Sequence, residues 1–294
     1  MKQFLSILLF GMAATVPRIL AQAPASQNYP PPPTYEPQEL DQLIAAVALY
    51  PDPLLAQVLT ASTFSNEIPD ADGWARAHSY LTGDALARAI NEDNLPWDPS
   101  VIALLPFPSV LDRMAGDIAW TEELGNAVLA DRSAVMDSIQ DQRQRAYNYG
   151  YLRTNAQYKV VTPAPGDIEI VPVNPSVVYV PYYDPNLVFF RPRPGFNVAA
   201  AISFGPSVFV TSFLPWGWGG VSFGWRTHSI IVNNRPWERT WVNRDRYIHT
   251  YPAPVRPRSL TPVPRVERHE LREYRPPERR GPERGIPERG RERR

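Results

Sequence analysis

The sequence predicts an α+β protein: an N-terminal bundle of short α-helices, a short antiparallel β-meander, an aromatic and glycine-rich region, and a disordered tail rich in Pro, Arg and Glu. Three observations predict it. The apolar period is 3.6 residues from Gln38 to about Tyr151 and shifts to 2 near Gln157; residues 194–225 carry no charged side chain; and beyond Pro252 the chain is mostly Pro, Arg and Glu.

Residues 1–21 read as an export signal, with Lys2, an apolar run from Phe4 to Val16 and small residues near Ala21 and Ala23. Cleavage after Ala21 is expected, since a cut after Ala23 would leave Pro24 at the new end. Arg18 departs from the usual uncharged end, and a retained anchor helix is the alternative. Residues 22–38 form a Pro-rich linker, extended and semi-rigid through Pro30 to Pro33.

In the helical part, Leu40, Leu43, Ile44, Val47 and Ala48 fall on one helical face, and that helix should end near Tyr50. Asp52 is then expected to cap a second helix, with Pro53 in its first turn and Leu54, Leu55, Val58, Leu59 and Ala61 as its buried stripe. Asp84 and Asp98 read as further caps. Asp98-Pro99 opens a short helix that Pro106 stops, and Pro108 starts another carrying Val110, Leu111 and Met114. Periodic stretches also run through Trp74–Leu81, Ala85–Ile90, Trp120–Ala130 and Ser133 to about Tyr149.

Tyr158–Thr162, Asp167–Val173 and Val177–Tyr182 are rich in Val, Ile and Tyr and read as three strands of a meander. Pro172 and Pro181 cannot donate ladder hydrogen bonds and belong at an edge or just outside pairing. The uncharged span 194–225 is long enough to cross a membrane, but Gly205-Pro206, Pro215, Gly217, Gly219 and Gly220 break it. With the alternation at Ser207–Thr211 and the echo of Ile202–Gly205 in Val221–Gly224, short strands are the preferred reading. The region 188–252 is therefore expected to be aromatic, Gly-rich and made of short strands. The tail, 253–294, has too little apolar content to offset its ordering entropy.

Formal net charge is zero, but residues 255–294 hold 13 Arg against 7 Glu, hence +6 locally and −6 on the rest. Lys2 and Lys159 are the only lysines, so positive charge is almost all guanidinium, suited to bidentate and stacking contacts. The chain has no cysteine, which excludes disulfides, thiolate metal sites and Cys nucleophiles. Export without disulfides fits the periplasm or outer envelope of a bacterium.

No catalytic, cofactor or metal site is expected. Carboxylates are plentiful, including Asp41, Asp112, Asp117, Glu122 and Glu123, and a glycan hydrolase would need two of them, but caps and solvated helix faces account for them. None of His78, His228, His249 and His269 pairs with another at i+3 or i+4, so no zinc helix exists; His78 should simply pack beside Trp74. Ser100, Ser109 and Ser133 stand at helix starts with no nucleophile elbow, and no phosphate-binding loop or dinucleotide fingerprint is present.

Aromatic and arginine residues interleave in the second half. Tyr179, Tyr182, Tyr183, Trp237, Arg239, Trp241, Arg244 and Tyr247 are the candidate partner-binding surface, because guanidinium and aromatic faces together hold carbohydrate, polymer or protein edges. Equally, these aromatics could cover the sheet while the arginines pair with the acidic helical block. An envelope protein or anionic envelope polymer is the expected partner, and nucleic acid is not.

Three segments carry a resemblance to a known family: Leu40 to Leu59, Pro96-Trp97-Asp98-Pro99-Ser100-Val101, and Asn174-Pro175-Ser176-Val177-Val178-Tyr179-Val180-Pro181-Tyr182-Tyr183-Asp184-Pro185. Over about 39–187 the chain resembles DUF3300, secreted bacterial proteins of unknown function. The resemblance implies export and the order of bundle then strands, and supplies no catalytic residue or cofactor. The expected protein is a non-enzymatic envelope binding or scaffolding protein. The alternatives are a carboxylate-dependent glycan hydrolase and a protein inserted in the membrane through 194–225.

Overall fold

The computed structural model describes residues 30–164 and 166–247. The expected signal, the linker up to residue 29 and the tail lie outside the described residues. Helix α1 spans Pro37–Ile44 and opens with a capping box, in which the Glu36 N–H donates to Glu39 Oε2 at 2.9 Å. It ends sooner than the apolar stripe suggests, and turns carry the chain from Ala45 to Tyr50. Helix α2, Asp52–Ser62, follows; Leu54, Leu55, Ala56, Val58, Leu59 and Ala61 are all fully buried. A helix apolar on every side belongs in the middle of a fold, and α2 is packed against both helices and strands.

Around it lie α3 (Ile68–Ala77), α4 (Gly83–Asp93), α5 (Pro99–Ile102), α6 (Pro108–Gly116), α7 (Ile118–Ala130) and α8 (Arg132–Asn148). Several starts follow sequence rules. Asp98, Asp117 and Asp131 accept from the N–H of Ser100, Trp120 and Ala134, and Pro99 and Pro108 stand in first turns. His78 stacks on Trp74 with ring centroids 3.9 Å apart, as the spacing suggests. Gly125 lets α7 cross the end of α2 closely, since a Cβ there would lie 2.2 Å from the Ser62 carbonyl oxygen.

The strands are β1 (Tyr158–Ala164), β2 (Asp167–Pro172), β3 (Val177–Tyr183), β4 (Ile202–Phe209), β5 (Val221–Gly224), β6 (Ser229–Val232) and β7 (Arg235–Pro236). A one-turn helix, α9 (Pro185–Val188), follows β3. All pairings are antiparallel, but they differ from a simple three-strand meander. β1 pairs with β2; β3 then leaves to pair with β4, and β5-β6-β7 form a third small sheet. Pro181 sits where the β3–β4 register shifts, the position its missing N–H requires. The two echoing segments became β4 and β5. Residues 194–225 hold these strands and short 3-10 turns, and among the described residues no helix is long and apolar enough to cross a membrane.

One core joins the helical and β parts, running from Leu40 in α1 through α2 to Trp216, Trp218, Trp225 and Trp237. Trp218 stacks on Phe107 at 5.0 Å and its indole N–H donates to the Ala103 carbonyl at 2.9 Å.

Candidate functional site

The eight aromatic and arginine residues singled out in the sequence fall in two places. On β3, alternation sends Tyr179 and Tyr183 to one face and Tyr182 to the other. Tyr183 points into the fold, where its hydroxyl donates to the Ala45 carbonyl (2.9 Å) and accepts from the Leu49 N–H (3.2 Å). Burial raises its pKa far above that of a free phenol. Tyr179 meets Phe204 edge-on at 6.5 Å, while Tyr182 is exposed and lines an apolar cavity of about 370 Å³ beside Pro206 and Phe209.

Trp237, Arg239, Trp241, Arg244 and Tyr247 instead lie along α7, α8 and the end of α2. Trp237 is buried beneath the Arg132 guanidinium, 4.6 Å from its ring, and Arg239 covers Phe64 at 3.8 Å while donating to the Thr63 carbonyl at 3.0 Å. Arg244 lies 3.9 Å over Trp241, whose N–H donates to the Pro30 carbonyl at 2.8 Å. Tyr247 packs half-buried against the core. Burial lowers the pKa of Arg132 and Arg239. The Arg132–Trp237 and Arg239–Phe64 stacks hold the segment against the helical part, through rings and main-chain carbonyls.

Two of the expected caps serve another purpose. Asp52 occupies the first turn of α2 but caps nothing; its carboxylate is buried and receives Arg143 Nη1 at 2.7 Å, the Ile170 N–H at 3.2 Å and Trp225 Nε1 at 3.0 Å. Arg143 is wholly buried, donates to the carbonyls of Ala48, Tyr50 and Ile168, and lies 4.9 Å over the Trp225 ring. This cluster ties α2, α8, β2 and the turn after β5 together. Asp84, in the first turn of α4, receives the Ser212 hydroxyl rather than its own helix's N–H groups. Local sequence cannot separate a cap from a tertiary acceptor, because both favour an Asp at a helix start.

A cleft of about 780 Å³ is bounded by α1, α8, the α6–α7 junction and the chain after β3. Its charged groups balance: Asp41 and Asp117 against Arg113 and Arg145. Both carboxylates have occupations. Asp41 accepts from the Ser138 hydroxyl at 2.6 Å and from Arg145 at 2.7 Å, and Asp117 caps α7. Gln38, Gln42, Gln142 and Asn186 contribute carboxamides, and Trp120, Phe189 and Phe190 contribute rings. The Trp120 N–H is taken by the Leu43 carbonyl (2.8 Å), Phe189 is buried, and Phe190 is 61% exposed. Gln142 is 4% exposed; its amide N–H donates to the Asp41 carbonyl at 3.3 Å, while its Oε1 has no donor. Chemically the cleft can hold a neutral polar molecule against an aromatic wall. Among the described residues no cluster of His, Asp or Glu could hold a metal ion.

None of the cleft residues was singled out as a binding group by the sequence. The signal is present but ambiguous: Gln38, Asp41 and Gln42 form a polar stripe at i, i+3 and i+4 on α1, and Ser138, Gln142 and Arg145 another on α8. Such stripes are what any solvated helix face shows.

The comparisons with known proteins name no activity. The chain is 36% identical over 182 residues to the uncharacterized protein YacH of Escherichia coli (strain K12), a match spanning 51% of this chain and 29% of that relative. No solved structure matches. The family model for DUF3300, described as a protein of unknown function, matches residues 36–254 and so continues past Leu187 through the aromatic region. With most of its length inside that match, the chain belongs to the DUF3300 family.

Proposed function

We propose that this protein is exported to the bacterial cell envelope and acts there as a non-catalytic binding or scaffolding protein, with its partner held in the cleft between α1, α8 and the chain after β3. The observation that carries the reading is the state of the cleft's acids. A two-carboxylate hydrolase needs one acid free to give a proton and one free to act as base or nucleophile. Asp41 is held by Ser138 and Arg145, and Asp117 by the N-terminus of α7. The aromatic and carboxamide lining offers contact area and hydrogen bonds instead.

Export rests on residues 1–21, whose composition is that of a cleavable signal. The lack of cysteine is compatible with an oxidising compartment that this chain does not exploit.

The test is site-specific photo-crosslinking in bacterial cells making the full chain, with the probe at Phe190 in the cleft and, as control, at Arg88 on the exposed side of α4. Envelope material captured at 190 and not at 88, with the protein recovered in the soluble periplasmic fraction after carbonate washing, is the expected result. Hydrolysis of an envelope polymer that a single Asp41→Asn or Asp117→Asn substitution abolishes would replace the reading with the enzymatic one. Retention in the carbonate pellet would favour insertion.

A further inference from the structure

From the lining of the same cleft we infer the class of its ligand: a neutral, polyhydroxylated glycan chain, bound with one sugar face against Phe190. The inference rests on the binding reading above and narrows it. Three features select this chemistry over the anionic polymer expected from the sequence. First, two carboxylates face two guanidiniums, so the cleft offers a polyanion no net attraction. Second, each of the carboxamides of Gln38, Gln42 and Asn186 presents a donor and an acceptor side by side, the pattern that matches neighbouring sugar hydroxyls, each of which also donates and accepts. Third, Phe190 keeps most of its ring exposed at the rim of a cleft, where an apolar ring gains by being covered with the C–H face of a sugar.

The experiment titrates the full chain with a tetrasaccharide of N-acetylglucosamine and, separately, with heparin as a polyanion, following intrinsic tryptophan fluorescence and calorimetric heat. The tetrasaccharide should bind saturably below about 10 mM, with an affinity unchanged within about twofold between about 50 and about 500 mM salt, because no net charge is screened. Phe190→Ala and Asn186→Ala, both exposed positions, should each weaken it about tenfold while leaving the thermal midpoint in place. No saturation by the tetrasaccharide, or binding that ignores Phe190→Ala, overturns the inference. If heparin or a peptide binds instead and Phe190→Ala weakens it, the glycan assignment falls while the cleft reading stands. If Phe190→Ala and Asn186→Ala alter no binding, including capture in cells at a second cleft position such as Gln38, the cleft reading falls with it.

Discussion

Arg143 and Asp52 show how much a single buried pair can organise. The guanidinium is fully buried and meets three main-chain carbonyls and one carboxylate, while the carboxylate also takes a backbone N–H and an indole N–H. Replacing Arg143 with Met would strand the charge of Asp52 and take the side-chain donor from the Ala48 and Tyr50 carbonyls, while Ile168 keeps Gln140, a loss of about 3–5 kcal/mol in urea unfolding. Adding Asp52→Leu should recover part of it, because the stranded charge goes too; a double variant whose loss equals the sum of the single losses would refute the coupling. Tyrosines give the pH dependence. Burial pushes the Tyr158 hydroxyl up to about 12 and raises Tyr183 further in the same direction. A raised phenol pKa means the folded state keeps protons that the unfolded chain releases. The Tyr158 contribution is therefore whole below pH 10, the ordinary phenol value, and lost as pH rises to about 12, with a slope of about 1.4 kcal/mol per pH unit. Unfolding free energy measured across that range should fall less steeply in Tyr158→Phe.

At the level of elements, close approach sets what α7 tolerates. Gly125→Ala places a methyl 2.2 Å from the Ser62 carbonyl oxygen, which is backbone and cannot swing aside, so α7 or α2 must shift. A loss of about 1–3 kcal/mol or more is expected from such overpacking. Gly73, inside α3, has nothing within 4 Å of its would-be Cβ, so Gly73→Ala should raise stability by about 0.5–1 kcal/mol through helix propensity alone. Opposite signs for these two substitutions in one denaturation series would test the packing of α7 on α2. Helix positions were readable from the sequence because caps, prolines and a 3.6-residue period are local. The partner of β3 was not: β2 lies nearer in sequence, but β3 pairs with β4 across the α9 turn. Alternation fixes which residues share a face of a strand and says nothing about its neighbour.

For the molecule as a whole, the β part is structural cover for the helical part. Trp225 reaches Asp52, Trp218 reaches Ala103, and Arg132 donates to the carbonyls of Trp237 and Arg239. A chain ending at Leu187 would expose the apolar sides of α2 and α5 and leave the Asp52 cluster short of a donor. It should aggregate or unfold without a cooperative transition, whereas the full chain should lose helical and tryptophan signals at one midpoint; coincident cooperative unfolding of the shortened chain would show that the helices fold alone. The candidate binding residues behave likewise. Tyr183 and Trp237 were visible as aromatics in the sequence, but only packing determined that they face inward.

By itself the sequence determined the α+β order, most helix starts, the strands at 158–183, the breakage of the uncharged span into strands, and the family resemblance. These are local properties, set by backbone propensity, proline geometry and the period of apolar residues. Tertiary structure alone decided that Asp52 is an ion-pair acceptor and not a cap, that the 237–247 aromatics stack on the helices, and that two polar stripes from α1 and α8 meet Phe190 across a cleft. Each of those depends on which distant surfaces the core brings together, and burial, unlike helical period, has no local signature.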